Sequence, residues 1–349
     1  MKIAFFIGSM GRGGAERVIS ILANHYSQKG WDVEIALLLD CTVGYELDER
    51  IKVVNLTVGK GSYLKRMPLW IKKIRNYVKT TKPDRIVSFI GRINVLVLNA
   101  CRGINIPIIV SERNDPKHDG RGKFMLWLCN KSYKRAEAIV HQTKYEESCF
   151  SAKLASKSYV VPNPVSVSAF DKSVTPYRIV TAGRLLPQKN HAMLIDAVAM
   201  IKPDFPDIKL DIYGDGSLKD NLSNKIKELN MENTVTLMGN VSDLHQRIAE
   251  ADVFAMTSEF EGLSNALIEA MMLGLVCIST DYPGADEVVH HGENGLLVPC
   301  GDAVKLADVL RNLFTDKELN QKLRNNAKEA SKRYRTEEVI KLWEAVIEK

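Results

Sequence analysis

Residues 251 to 281, ADVFAMTSEFEGLSNALIEAMMLGLVCISTD, hold an apolar run, an acidic loop, a helical pattern and a second apolar run in immediate succession. The flanking runs, ADVFAMTS and GLVCISTD, are short and nearly continuous, as strands of a sheet covered on both faces are. Between them the loop passes through Gly262 into a helix whose N-cap is Ser264 or Asn265 and which Gly274 stops. Strand, helix, strand is the rhythm of a parallel sheet wrapped by helices, so the segment predicts an α/β fold.

The same rhythm extends in both directions. Upstream lie KLDIYGDG (209–216) and VTLMGNV (235–241), and downstream GLLVPCG (295–301), each closing on small or polar residues. The front half repeats it with KIAFFIG, a helix from about Ala15 to Lys29, then DVEIALLL, RIVSFIG, IPIIVSE and EAIVHQT. Around residues 162 to 177 the pattern breaks into PNPV and a polar stretch ending at Pro176, after which RIVTAGR opens a new series of strands. The reading is therefore two Rossmann-like, doubly wound α/β domains, 1–165 and 166–332, facing a cleft. The final helical stretch, with Val339, Leu342, Trp343 and Val346 at helical spacing, is expected to return to the first domain over about 333–349.

Composition agrees with two ordinary cores. At 349 residues the chain is too long for one, and its 45% hydrophobic and 26% charged content describes a globular protein rather than a disordered one. Its six cysteines are scattered without a C-x-x-C pair, which signals neither a zinc site nor a disulfide framework and points to a reducing, cytoplasmic setting. MKIAFFIG reads as a buried first strand, and no run of about 18 apolar residues marks a membrane span. Charge is uneven: residues 1 to 165 carry 27 Lys+Arg against 14 Asp+Glu, a surplus of 13, so the total of +6 leaves the remainder at −7. Nucleic-acid binding would suit the basic half, but no nucleic-acid motif accompanies the charge.

In open α/β sheets ligands bind beyond the carboxyl ends of the strands, and the chemistry-bearing residues collect there. After the first strand, GSMGRGGAER places Gly13, Gly14 and Arg17 at the start of a helix whose free N–H groups suit an anion. The dinucleotide fingerprint G-x-G-x-x-G is not met, because Glu16 stands where its last glycine would be. TAGRLLPQKN carries Arg184 and Lys189 five residues apart, two cations able to clamp a diphosphate. In the segment quoted first, the N–H groups of Leu263, Ser264 and Asn265 face a would-be phosphate, and Glu261 and Glu269 offer carboxylates to paired sugar hydroxyls.

Taken in order, GGAER, VPNPV, TAGRLLPQKN, IYGDG, LMGNV, EFEGLSNALIE, YPGADE and NGLLVP resemble the retaining glycosyltransferases of family 4, which have the GT-B fold. The resemblance covers nearly the whole chain, and its E-x7-E signature matches Glu261 and Glu269. It implies that Glu261 holds hydroxyls of the donor sugar and Glu269 the ribose. It also implies that Arg184 and Lys189 bind the diphosphate, and that Gly214 with Asp215 and the Gly239–Asn240–Val241 segment lines the base. No metal or other cofactor is implied. Family members usually carry a histidine where this chain has Arg113, in SERNDP, so Arg113 is expected to meet the donor sugar or an acidic acceptor group, or else to be tied to Glu112 or Asp115.

The function implied is transfer of a sugar, with retention, from a nucleotide diphosphate sugar such as a UDP-sugar to a lipid-linked or polysaccharide-precursor acceptor in bacterial surface glycan synthesis. Alternatives are a soluble acceptor and a catalytically silent nucleotide-sugar binder. KGSYLKRMPLWIKKIRNYVK and GRGKFMLWLCNKSYKR interleave cations with aromatic and aliphatic residues, as a peripheral surface facing anionic lipid on the inner side of the cell membrane would, although helices packing on a sheet look alike.

Overall fold

A computed structural model describes every residue but Lys60, Ala169, Asp171 and Lys172, and every side chain but that of Leu64. The break expected at 162–177 and the basic segment from Lys60 therefore lie partly outside the described residues. The chain divides into two compact units, Met1–Pro164 with Glu337–Lys349, and Val165–Thr336.

The first unit is built on β1 (Lys2–Ile7), β2 (Asp32–Leu37), β3 (Lys52–Asn55), β4 (Arg85–Phe89), β5 (Ile108–Ser111), β6 (Ala138–His141) and β7 (Ser158–Val160). All pair in parallel in the order β3-β2-β1-β4-β5-β6-β7. Its helices are α1 (Gly14–Gln28), α2 (Tyr63–Thr81), α3 (Gly91–Ala100), α4 (Gly122–Tyr133) and the short α5 (Lys144–Ser148).

The second unit has β8 (Arg178–Ala182), β9 (Lys209–Tyr213), β10 (Val235–Gly239), β11 (Val253–Met256), β12 (Val276–Thr280) and β13 (Leu296–Val298), in the parallel order β10-β9-β8-β11-β12-β13. Around them run α6 (His191–Ile201), α7 (Lys219–Glu228), α8 (Leu244–Ala249), α9 (Asn265–Met272), α10 (Ala303–Thr315) and α11 (Lys317–Ser331). The last helix, α12 (Thr336–Ile347), belongs with the first unit from Glu337 onward.

Period-two geometry sends alternate residues of each strand to opposite faces, so a strand covered on both sides must be apolar throughout. In β1, Ala4 and Phe6 join one core with α2, α3 and α4, while Ile3, Phe5 and Ile7 join another with α1 and α12. Trp343 of α12 is fully buried there, its ring 5.8 Å from that of Phe89. The second unit divides likewise: Val253 and Ala255 of β11 face α6, α7 and α10, and Phe254 and Met256 face α8 and α9. Both sheets reverse strand order once, between β1 and β4 and between β8 and β11. The loops that leave such a pair run in opposite directions and open a crevice between them.

Candidate active site

The switch point of the second unit brings together what the sequence held far apart. The loop after β8 carries Arg184 and, in a short turn (Pro187–Lys189), Lys189. The loop after β11 carries Glu261. Lys189 Nζ lies 2.5 Å from Glu261 Oε1, with the two side chains only 15% and 11% exposed. Ser258 Oγ donates to the same carboxylate oxygen at 2.6 Å. Gln188 Nε2 donates to the Phe260 carbonyl at 2.7 Å, and Glu259 N donates back to the Gln188 carbonyl at 2.8 Å. Thr257 Oγ1 bonds the Lys189 and Asn190 carbonyls at 3.1 and 3.0 Å. The two loops are thus stitched to each other, and the cation and the carboxylate are fixed by their neighbours rather than left to solvent. Arg184, earlier in the same loop as Lys189, is exposed and makes no side-chain ion pair among the described residues.

The helix start completes this region. Ser264, not Asn265, is the N-cap of α9: its hydroxyl accepts from Leu267 N, and Gly274 ends the helix at φ +71°. Glu269 is 7% exposed and meets His245 Nε2 at 3.3 Å, so its carboxylate is held from α8. Gly262, Leu263 and Asn265 are half-buried on the approach to the helix.

A third set of residues follows from close backbone approach. Gly214 N donates to the Gly239 carbonyl at 2.8 Å, and Gly183 N to the Tyr213 carbonyl at 2.9 Å. A Cβ on Gly214 would stand 2.0 Å from the Gly183 carbonyl oxygen, and its φ of +128° is open to glycine alone. The ends of β8, β9 and β10 can therefore converge only because Gly214 has no side chain. Asp215 and Asn240 are exposed next to them, and Val241 is half-buried.

The first-unit candidates are placed differently. Gly13 is the extended N-cap of α1 and Gly14 its first residue, but a Cβ on Gly13 would lie 2.4 Å from Glu16 Oε2, so the Glu16 carboxylate already stands at this helix start. Burial pushes the Glu16 carboxyl up. Arg17 is half-buried one residue further along. Arg113 is 6% exposed, its guanidinium carbon 5.5 Å from the Phe89 ring and 5.2 Å from the Trp343 ring. Nε donates to Ser111 Oγ at 2.8 Å and Nη1 to Asn163 Oδ1 at 3.0 Å. The expected ties to Glu112 or Asp115 are corrected: Glu112 pairs with Arg121, and Asp115 with His118. Arg113 is clamped in the first unit's interior by aromatic faces and side-chain oxygens, and the acid whose charge it feels is the buried Glu146, not Glu112 or Asp115.

His191 opens α6 directly behind Lys189 and is 4% exposed. Burial first, and the Lys189 charge second, push its imidazole down to about 4. In the first unit burial and then Arg113 push His141 down to about 4. An unfolded histidine titrates near 6.5, so between these values the unfolded chain binds protons that the folded chain refuses. Stability is complete above about pH 6.5 and is lost as pH falls toward 4, by as much as about 3 kcal/mol per histidine. The second unit's urea midpoint should fall steadily from pH 7 to 5, and His191→Gln should flatten that slope, whereas in the first unit the buried Glu146 carboxyl, pushed up to about 8, takes up a proton over the same range and opposes His141. A midpoint constant over the range would overturn this account.

Sequence reasoning missed Ser258, Gln188, His191 and His245. Ser258 and Gln188 adjoin residues it had picked, whereas His245 gives no signal, because it reaches Glu269 only through the packing of α8 beside α9. Among the described residues no group of three or more His, Cys, Asp or Glu is placed to hold a metal ion.

With this geometry in hand, residues 12–169 match the family described as Glycosyltransferase Family 4, and residues 167–330 match Glycosyl transferases group 1. The Campylobacter jejuni N-acetylgalactosamine-N,N'-diacetylbacillosaminyl-diphospho-undecaprenol 4-alpha-N-acetylgalactosaminyltransferase is 30% identical over 95% of both chains. A second C. jejuni enzyme, an alpha-1,4-N-acetyl-D-galactosaminyltransferase named for a GalNAc- and diNAcBac-containing PP-undecaprenol substrate, is 29% identical over 98% of this chain and 97% of its own. Among solved structures, Anabaena HepE in complex with UDP superposes with a TM-score of 0.82 at 23% identity, covering 99% of each chain. The chain belongs to the family 4 glycosyltransferases and has the GT-B fold, each unit being one of its two Rossmann-like sheets. It is an enzyme of the sugar-transferring class.

Proposed function

We propose that the chain moves a sugar from a UDP-sugar to a glycan carried on a lipid diphosphate, with retention of configuration. The relatives named above, which act on undecaprenyl-diphosphate-linked glycans, support the acceptor class. HepE was solved with UDP, which supports the nucleotide. The observation that carries the reading is the meeting of Lys189 and Glu261 at the second unit's switch point, in the loops that also carry Arg184 and lead into α9.

A sugar diphosphate entering this region brings its negative charge to Arg184, Lys189 and the N–H groups of Leu263, Ser264 and Asn265. Lys189 then divides its three donors between phosphate and Glu261, and Glu261 turns a free lone pair to the sugar hydroxyls. Glu269, steadied by His245, accepts from the ribose, and the base lies against Gly214 and Gly239–Val241. The acceptor oxygen attacks the anomeric carbon from the face of the departing diphosphate. The bond from that carbon to the diphosphate oxygen breaks, its electron pair leaves with the diphosphate, and the acceptor proton passes to the leaving oxygen. The cations and the helix start stabilise charge where it develops. No metal or cofactor enters the proposal.

A thermal-shift panel of nucleotide sugars tests it, because a ligand that prefers the native state raises the melting temperature. UDP and at least one UDP-sugar should raise it, and product from a lipid-diphosphate acceptor should keep the donor's anomeric configuration. If no nucleotide or nucleotide sugar shifts the transition, the reading fails.

A further inference from the structure

Helix α9 reads NALIEAMM, and from Leu267 to Met271 every residue but Glu269 is apolar and fully buried. A carboxylate set into such a stripe breaks the helix's own pattern and costs free energy unless a group opposite compensates it. Glu269 is itself buried, so solvent supplies little of that compensation.

The neighbouring helix supplies a partner. Helix α8 packs against α9 and contains two basic residues, His245 and Arg247. Arg247 is committed to its own helix, its Nε donating to Asp243 Oδ1 at 2.7 Å. His245 instead turns to α9, where Nε2 lies 3.3 Å from Glu269 Oε2, with the two side chains 28% and 9% exposed. The imidazole therefore stands at the rim and the carboxylate lies inside. An ionised carboxylate has no proton to give, so in this pair Nε2 carries the hydrogen and the tautomer is set.

The segment ahead of α8 fixes where that imidazole stands. Gly239 ends β10 at φ +68° with its carbonyl accepting from Gly214 N, and Asn240, Val241, Ser242 and Asp243 lead straight into the helix. Val241 and Leu244 pack against the same core cluster as Leu263 and Ala266 on the approach to α9. One continuous stretch thus carries both the residues assigned to the base and the imidazole that meets Glu269.

We infer that His245 is a positioning residue through which the site selects a ribonucleotide over a 2′-deoxyribonucleotide. By holding Oε2, the imidazole stops the Glu269 carboxylate from turning about its last bond and keeps it presented to the ribose hydroxyls. Without the 2′ hydroxyl a bond is lost in a place largely closed to water, which is where a missing hydroxyl costs most. The inference rests on the donor reading proposed above and deepens it.

Calorimetric titration of the whole chain with UDP and with 2′-deoxy-UDP tests it. The unaltered protein should prefer UDP by about tenfold or more, the scale of one hydrogen bond to a buried charge. His245→Leu should bring that preference to within about threefold, through weaker UDP binding at nearly constant 2′-deoxy-UDP binding. His245→Gln, whose amide can still donate to the carboxylate, should restore most of it. In a Glu269→Gln background, His245→Leu should change neither affinity, because the carboxylate it acts through is gone. A merely structural role would instead weaken both nucleotides in parallel and lower the melting temperature. Parallel weakening, a preference unchanged in His245→Leu, or no preference in the unaltered protein would overturn the inference while leaving the donor reading in place. Failure of the unaltered protein to bind either nucleotide would remove the donor reading, and this inference with it.

Discussion

Lys189→Ala is expected to fold normally and to lose sugar transfer by about 100- to 1000-fold, the scale on which removal of one fixed donor to a developing oxyanion is felt. Two losses coincide in that variant. The leaving diphosphate loses an ammonium that Glu261 and the Thr257 hydroxyl's hold on the Lys189 carbonyl keep in place. Glu261 in turn loses its cation and keeps Ser258 and Gln188 as donors, a neutral pair that leaves more negative charge facing an anionic substrate. Because the charge grows most as the bond breaks, the fall should appear mainly in kcat, with a smaller rise in KM. Lys189→Arg should recover part of the rate, since it keeps the charge and changes the fork. A Lys189→Ala protein within threefold of wild type, at unchanged melting temperature, would remove this lysine from the chemistry.

The second large effect concerns stability. Arg121→Met should destabilise the first unit by about 3–5 kcal/mol, the cost of leaving a buried charge without its partner. Arg121 bonds Glu112 through both ends of its fork, Nη1 at 3.0 Å and Nη2 at 2.6 Å, with side chains 2% and 0% exposed. Asp119 takes Nε at 2.8 Å, and the Tyr133 hydroxyl also donates to Glu112. The guanidinium needs Gly91 beneath it, where a Cβ would stand 2.7 Å from Nη1. With Met in place of Arg, the Glu112 carboxylate keeps only neutral donors in a site closed to water. Adding Glu112→Gln removes the orphaned charge and should restore part of the loss. Urea unfolding followed by a first-unit probe measures both, and a cost below about 1 kcal/mol for the single variant would contradict the account.

The α/β architecture was legible because local periodicity alone dictates it. The continuous apolar strands and the Ser264 to Gly274 helix announce themselves within a dozen residues. Lys189 and Glu261 were legible as types in loops, and their contact follows once β8 and β11 are neighbours. Arg113 was not legible. Its surroundings come from Phe89, Asn163 and Trp343, which no short window holds together, so a cation written in a polar loop ended in the interior. His245 was hidden for the same reason. The basic segments at α2 and α4 pack an apolar stripe on the sheet, as one of the two readings weighed for them expected.

Trp343 closes the core that Ile3, Phe5 and Ile7 begin. During synthesis the opening strand leaves the ribosome hundreds of residues ahead of the helix that must cover it. The second unit can complete itself meanwhile, while the first waits with α1 on that face of its sheet but the part around Phe89 uncovered. An early frameshift aside, a stop codon just upstream of that tryptophan would do its harm at the other end of the polypeptide.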